Sequence, residues 1–138
     1  MSNFSITSSD FNEGEEIPKK FGYKFENVHP TIEFDNIPQN TKSLSIIMDD
    51  PDAMAAVGKV WVHWLLSNLS PQTVAILTGE TPMKTLVEEG EDDDEIDYLK
   101  GKTDFDEIGY GGPAPPNGRH TYVFKGYALD TMLDLKEG

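Results

Sequence analysis

The spacing of apolar residues along the chain predicts short β-strands and no long amphipathic helix. The segment TIEF at 31–34 alternates, and SLSIIMDD at 43–50 is rich in isoleucine and ends before a proline. In VWVHWLLSNL at 60–69 both faces carry bulky side chains, which is typical of a buried central strand. A fourth strand is predicted over 120–129. We therefore expect an all-β or mostly β fold.

The segments between these strands are predicted to be connections. The first 20 residues are polar and contain Pro18, which limits regular structure. The stretch AMAAVGK at 53–59 consists of small residues and suits a loop. Residues 71–86 carry turn residues at both ends and are interpreted as a connection.

Chain length and composition narrow the class of protein. The 138 residues are enough for one hydrophobic core, so a single domain over 1–138 is predicted. The absence of cysteine excludes a disulfide framework, a thiolate zinc site and a cysteine nucleophile. The N-terminus lacks the pattern of a signal peptide, and no apolar run approaches the roughly 20 residues that span a bilayer. We expect a soluble, cytoplasmic protein without integral membrane association.

Charge is distributed unevenly along the chain. The formal net charge of −14 argues against sequence-independent binding of nucleic-acid phosphates, which requires a basic face. Residues 88–107 alone carry a net charge of −9, which leaves only −5 for the remainder. This acidic segment is predicted to be a solvated loop insertion. The rest of the chain can therefore still contain a pocket for an anion.

Five polar residues that can bind a ligand or a metal ion lie at or near predicted strands. Asp50 and Asp52 are at the end of one strand, His63 is inside an apolar run, and His120 and Tyr122 begin the last strand, where alternation places them on one face. A lone histidine in an apolar run is more often a satisfied core residue than a ligand. The set as a whole, beside proline-stiffened loops, indicates a site.

Several chemistries can use this set of side chains. A metal site would recruit His63, His120 and an aspartate, although their spacing is not diagnostic of one. A serine triad lacks its Gly-x-Ser-x-Gly elbow, and two aspartates separated by one proline do not suit opposed acid and base roles. Anion capture fits better, because imidazole N–H groups, the Tyr122 hydroxyl and loop N–H groups are all donors.

Three motifs in order resemble the phosphatidylethanolamine-binding protein family. They are DDPDAM, WVHWLLSNL and YGGPAPPNGRHTYVFKGYALD, and a looser match covers nearly the whole chain. The family includes the Raf kinase inhibitor proteins, the plant flowering regulators, and small bacterial and archaeal members. The resemblance implies two antiparallel sheets in a sandwich with short helices, and an anion pocket formed by the motif segments.

Carried onto matching positions, the resemblance implies a set of ligand-binding residues and a pocket rim of two prolines. These residues are Asp50, Asp52, His63, Pro115, Pro116, His120 and Tyr122. The chain departs from the family pattern at Met54, where a proline is usual, and at Thr121, where an arginine is usual. It also ends about ten residues after the third motif's strand, so the C-terminal helix of the family is expected to be missing.

The functional hypothesis is non-catalytic binding of a small anionic, phosphate-bearing ligand, with no cofactor. Two alternatives remain open on the sequence. One is a kinase or protease inhibitor that acts through protein–protein contacts, by analogy with eukaryotic relatives. The other is a metal-assisted hydrolase.

Overall fold

The structure is a computed structural model that describes residues 3–79, 82–84, 98–114 and 120–133. Within these ranges the chain forms eight strands, one short α-helix and a 3-10 turn at Lys19–Phe21. The strands are β1 (Ser5–Thr7), β2 (Ile32–Asp35), β3 (Ser43–Asp50), β4 (Trp61–Leu69), β5 (Thr73–Ile76), β6 (Pro82–Lys84), β7 (Leu99–Lys100) and β8 (Val123–Leu129).

The strands form two four-stranded sheets in which every pairing is antiparallel. The first sheet has the order β1-β2-β5-β6, and the second has the order β7-β4-β3-β8. The prediction of a mostly β fold with two antiparallel sheets is confirmed. β3 and β4 are the two inner strands of the second sheet, and most of their residues are buried, as the sequence indicated for β4.

The hydrophobic core takes side chains from both sheets. Its buried members are Ile32, Phe34, Leu44, Ile46, Met48, Trp64, Leu66, Leu69 and Ile76. Close approach of the sheets also requires a glycine in β8. A Cβ atom at Gly126 would lie 2.6 Å from Cγ2 of Ile6 in β1. The two sheets therefore pack face to face.

Short strands account for most of the differences from the sequence prediction. β3 has the predicted bounds, β2 is shifted by one residue at each end, and β4 begins one residue later than predicted. The interpretation of 71–86 as a connection was wrong, because β5 and β6 lie within it, and β1 lies in the polar first 20 residues. These strands have three or four residues each, too few to show a period above the surrounding turn residues.

The predicted loop at 53–59 contains the helix α1 (Ala53–Val57). The helix ends at Gly58, whose φ of 77° is left-handed and suits glycine. Its single turn is too short for a sequence period to reveal. Among the residues that the structure describes, no helix combines the length and apolar character needed to cross a membrane.

The last strand begins three residues later than predicted, at Val123. The reason is that the preceding residues make other hydrogen bonds. The His120 side chain pairs with Asp50, and the Thr121 N–H donates to the Asp52 carboxylate rather than to a neighbouring strand. His120 and Tyr122 therefore lie on the approach to β8.

Part of the acidic segment 88–107 is ordered against β4. Residues 88–97 lie outside the described residues, but β7 pairs with β4 and Thr103 is buried. The Asp104 carboxylate accepts the Val62 N–H at 2.7 Å and the Lys59 ammonium at 2.6 Å. Burial raises the pKa of Asp104, but these two donors outweigh it and the net shift is downward. Thr103 and Asp104 thus hold part of this segment against the sheet, while Lys102, Asp106 and Glu107 are exposed.

Candidate functional site

The ends of three neighbouring strands, β4, β3 and β8, lie together at one end of the second sheet. Asp50, the last residue of β3, lies opposite Trp61, which begins β4. Its neighbour Asp49 lies opposite Val123, which begins β8. This register follows from the antiparallel order β4-β3-β8. It places Asp50, His63 and the residues just before β8 at the same end of the sheet.

A buried aspartate–histidine pair lies at this end of the sheet. Nδ1 of His120 lies 2.6 Å from Oδ2 of Asp50, and the two side chains are 8% and 5% exposed. Because a carboxylate only accepts, the ring N–H at Nδ1 is the donor. This hydrogen bond fixes the orientation of the imidazole and leaves Nε2 for another partner.

His63 is held by the backbone of the loop 111–114. Its Nδ1 donates to the Gly111 carbonyl at 2.7 Å, and the Gly111 N–H donates to the His63 carbonyl at 2.8 Å. The residue is 2% exposed. Burial lowers the pKa of His63, although the Gly111 hydrogen bond and the Asp50 charge oppose this. The neutral ring then carries its proton on Nδ1 and presents Nε2 as an acceptor.

Aromatic rings enclose the two histidines. Tyr122 meets His63 edge to face at a centroid distance of 5.2 Å and lies 6.5 Å from the His120 ring. Phe105 contacts His63 on another side at 5.4 Å. The Tyr122 O–H is buried and has no acceptor among the described residues, although the Ala114 N–H approaches its oxygen. Burial, followed by the nearby Asp50 charge, raises the pKa of Tyr122, so the phenol stays protonated.

Asp52 plays a different part from Asp50. Its Oδ2 accepts the Thr121 N–H at 2.7 Å, and it is exposed. Asp52 therefore anchors the segment that carries His120, while Asp50 orients the ring itself. Of the predicted site residues, the structure brings together Asp50, His63, His120 and Tyr122, with Asp52 beside them. Pro115 and Pro116 lie outside the described residues.

The sequence did not predict the segment that holds the His63 loop, which we call the strap (residues 21–27). Oδ1 of Asn27 accepts the Gly112 N–H at 2.7 Å. The Tyr23 N–H donates to the Pro113 carbonyl at 3.0 Å, and the Tyr110 hydroxyl donates to the Phe21 carbonyl at 2.8 Å. The strap and the loop are more than 80 residues apart in sequence, so no local pattern reveals this contact.

Asn27→Ala is expected to loosen the His63 loop. The change leaves the Gly112 N–H without its acceptor and places alanine at a φ of 53°, so the free energy of unfolding should fall by about 1–3 kcal/mol. The His63 imidazole ¹⁵N signals should shift, because the carbonyl that fixes its tautomer moves. Denaturation and NMR measure the two effects.

Asn36→Ala is the matched control, since Asn36 has a φ of 56° and a side chain that is exposed and bonded only to the Asn3 carbonyl among described residues. It shares the backbone cost but should leave the His63 signals unchanged. Asn27→Asp retains an acceptor oxygen and should restore them. Unchanged His63 signals in Asn27→Ala would contradict a positioning role for Asn27.

No group of three or more His, Asp and Glu side chains suited to a metal ion occurs among the described residues. His63 and His120 each direct one ring nitrogen to a protein partner, Gly111 or Asp50. The remaining groups are two Nε2 atoms, one phenol and one carboxylate oxygen. This arrangement suits hydrogen bonding to a small ligand better than coordination of an ion.

Relatives of this chain occur in archaea and bacteria. A UPF0098 protein of Methanothermobacter thermautotrophicus is 38% identical over 134 residues, which cover 97% of this chain and 82% of the relative. The UPF0098 protein YbhB of Escherichia coli is 33% identical, with 96% and 83% covered. The UPF0098 protein PH1269 of Pyrococcus horikoshii is 41% identical, and this chain spans 62% of its length.

Solved structures share the fold. The crystal structure of CT736, a phosphatidylethanolamine-binding protein homologue from Chlamydia trachomatis, superposes with a TM-score of 0.82 at 31% identity, covering 100% of this chain and 82% of that one. YbcL of Escherichia coli superposes with a TM-score of 0.80 at 26% identity, covering 99% and 82%. The family model for phosphatidylethanolamine-binding proteins matches residues 7–138. This chain therefore belongs to the phosphatidylethanolamine-binding protein family.

Proposed function

We propose that the cluster of Asp50, His63, His120 and Tyr122 binds a small phosphate-bearing anion without transforming it. The observation that carries the proposal is the Tyr122 hydroxyl, whose buried O–H has no acceptor among the described residues and lies between two oriented imidazoles. A buried hydroxyl without a hydrogen bond costs about 1–3 kcal/mol, so a fold that retains one has a use for it. An oxygen of the ligand would satisfy it.

The polar groups of the site converge, with Tyr122 as a donor and with a histidine Nε2 as a donor only when its ring is charged. The Asp50 hydrogen bond fixes the His120 ring and frees its Nε2, and the Gly111 hydrogen bond does the same for His63. An anion between the rings favours the charged form of a histidine, so binding would raise the lowered pKa of His63. Preorganised donors reduce the entropy that a ligand loses on binding.

Family membership supports a binding protein in general. The family is named for a phospholipid with a phosphate headgroup, and the relatives described above carry no enzymatic name. The anionic ligand itself is our inference from the donors of the site. It does not require a lipid tail, because the groups that support it would contact the anion itself.

An NMR titration tests the proposal. Inorganic phosphate and phosphoethanolamine are added to the ¹⁵N-labelled protein, and the imidazole signals of His63 and His120 are followed between pH 5 and 8. Saturable shifts at both rings are expected, with the His63 titration moving to higher pH in the presence of phosphate. Flat signals at millimolar ligand would overturn the proposal.

Tyr122→Phe is expected to weaken binding and to stabilise the unliganded protein. Removal of the unpartnered hydroxyl eliminates a buried polar group, so the free energy of unfolding should rise by about 1–2 kcal/mol. Loss of one donor to the ligand should lower phosphate affinity about 3- to 10-fold. Denaturation without ligand and the same titration measure the two effects.

Tyr127→Phe is the control, because Tyr127 is an exposed tyrosine on β8. It should change neither quantity. A Tyr122→Phe protein that is less stable than the wild type would show that the chain itself satisfies the hydroxyl, and the main support for the site would be lost.

A further inference from the structure

Three lysines lie at the strap without a carboxylate partner. Lys19 and Lys20 come directly before it, Lys24 lies within it, and all three side chains are exposed. Elsewhere in the described ranges, three other lysines each pair with an aspartate. Among the same residues no carboxylate forms an ion pair with a lysine at the strap. This part of the surface is therefore basic on a chain whose net charge is −14.

An exposed aromatic ring lies beside these lysines. Phe25 is 62% exposed, more than any other large apolar side chain that the structure describes. A Cβ atom at Gly22 would lie 3.0 Å from Cδ2 of Phe25 and 3.1 Å from the Lys19 carbonyl oxygen, so Phe25 and Lys19 are neighbours. The ring and the lysine stems add apolar contact area to the positive charge. We call Lys19, Lys20, Lys24 and Phe25 the strap surface.

The backbone beneath the strap surface is held in place by hydrogen bonds. The Gly22 N–H donates to the Lys19 carbonyl at 2.9 Å, and the Gly22 carbonyl accepts from Phe25 at 3.0 Å and from Asn27 at 3.1 Å. The Asn27 side chain in turn holds Gly112. A surface that is ordered before binding loses less conformational entropy when a partner binds.

The charge of the strap surface favours a narrow acidic partner. A polypeptide segment can contact this surface alone, whereas a broad anionic surface such as a bilayer would also meet the repulsive field of the whole acidic chain. The chain itself supplies such a segment, because residues 88–97 include eight acidic residues and no basic one. The strap surface and the segment 88–97 are therefore complementary in charge.

In a single copy, the loop 101–110 lies between the end of the acidic segment and the strap. β7, which follows the segment, pairs with β4 at Leu66 and Ser67. From there the loop runs to the strap, where the Glu107 carboxylate accepts a hydrogen bond from the Tyr23 hydroxyl at 2.5 Å. The segment of a second copy approaches from solvent and does not have to cross this loop. A second copy is therefore the source that the fold favours.

We infer that the strap surface binds the acidic segment 88–97 of a second copy of this chain. In a two-fold dimer each copy gives one segment and receives one, so the same contact forms twice. The inference does not depend on the proposed function, because it involves none of the side chains that would bind phosphate.

Sedimentation velocity at two salt concentrations tests the inference. The chain should dimerise at about 20 mM salt, and the dissociation constant should rise at least 10-fold at about 200 mM, because salt screens contacts between exposed charges. Monomers at millimolar protein would overturn the inference, and so would dimers that salt does not weaken.

Lys24→Glu tests whether the contact involves the strap surface. It should weaken dimerisation about 10-fold or more, since it replaces an attraction to the acidic segment by a repulsion. Phe25→Ser should weaken it about 3- to 10-fold through lost apolar contact. Lys42→Glu is the matched control, because Lys42 is an exposed lysine outside the strap, and it should change the dissociation constant less than about twofold. Equal effects of Lys24→Glu and Lys42→Glu would show that net charge alone controls association, contrary to the inference.

A mixture of two charge-reversed variants distinguishes a contact between copies from a contact within one copy. The first variant carries Lys19→Glu and Lys24→Glu. The second carries Glu91→Lys, Asp92→Lys, Asp93→Lys, Asp94→Lys and Glu95→Lys. Each variant alone should be monomeric, whereas the mixture should form heterodimers, because every strap surface then meets a segment of opposite charge. A mixture that stays monomeric would overturn the inference. A monomeric wild type that binds phosphatidylglycerol vesicles through Lys24 would assign the surface to a bilayer and overturn it as well.

Discussion

Gly112→Ala is expected to abolish phosphate binding, with a loss of at least about 100-fold in affinity. A Cβ atom at this position would lie 1.8 Å from the Phe21 carbonyl oxygen and 2.9 Å from its carbon, and both atoms belong to the backbone of the strap. Neither neighbour can rotate away, so the loop 111–114 must move. His63 then loses the carbonyl that fixes its ring.

The same change should also lower the free energy of unfolding, by about 1–3 kcal/mol, as overpacking of a tight contact usually does. Urea denaturation and the phosphate titration measure the two effects. Gly22→Ala is the matched control, because Gly22 lies in the strap across the same contact and its Cβ would be no closer than 3.0 Å to any neighbour.

Gly22→Ala should retain binding within about threefold, because its nearest neighbours, the Phe25 ring and the Lys19 and Pro113 carbonyl oxygens, need to move by only a few tenths of an ångström. Wild-type affinity in Gly112→Ala would show that the strap does not determine the position of the His63 loop. A loss of binding with His63 signals unchanged would point to a different cause from the one argued here.

Trp64→Ala is expected to have the largest effect on stability. Trp64 is 2% exposed, its ring stacks on His29 at 5.0 Å, and it meets Tyr110 edge to face at 5.5 Å. Replacement of a buried tryptophan by alanine costs about 3–5 kcal/mol, from lost apolar burial and from the cavity that remains. Because a domain of this size has about 5–15 kcal/mol in total, the variant should be partly unfolded at 37 °C.

Trp61→Ala provides the comparison within the same strand. Trp61 is half-buried and contacts Phe105 at 5.6 Å and the Lys59 ammonium at 5.9 Å, so its loss should cost about 1–2 kcal/mol. Denaturation followed by circular dichroism measures both variants. Equal losses would show that Trp64 does not occupy a special place in the core, contrary to its burial.

The long strands were predictable because they contain long runs of apolar residues. β3 has eight residues with an apolar run at 46–48, β4 has nine residues with bulky apolar side chains on both faces, and both lie in the interior of a sheet. β1, β5 and β6 are not predictable in the same way. Each has three or four residues, and the pairing of these strands depends on partners in other parts of the chain.

The candidate site was predictable in part, for a related reason. Asp50, His63 and His120 lie at or near the ends of strands that pair, so alternation and antiparallel order bring them together. The hydrogen bond between Asn27 and Gly112 joins two loops, and loops have no regular spacing of apolar residues from which to predict a contact. The predicted start of β8 was too early, because the Thr121 N–H donates to the Asp52 carboxylate instead of to a neighbouring strand, and the His120 ring bonds to Asp50.

The strap has a consequence for how the chain folds. The contacts that complete the site join residues far apart in sequence, with separations of 70 for His120 and Asp50, 85 for Gly112 and Asn27, and 89 for Tyr110 and Phe21. Each closes a long loop, whose entropy is lost before the contact forms. We therefore expect the site to assemble after the β3–β4 and β5–β6 hairpins, which join strands that are consecutive in the sequence.

A site completed by late contacts is absent from partly folded states. A ligand that binds only the native state stabilises it by about 2.7 kcal/mol at a free concentration 100 times its dissociation constant. This stabilisation is missing from a transition state that lacks the strap contacts, so it slows unfolding and leaves the folding rate unchanged. If the site binds the proposed anion, the strap would therefore lengthen the lifetime of the native protein when the ligand is present.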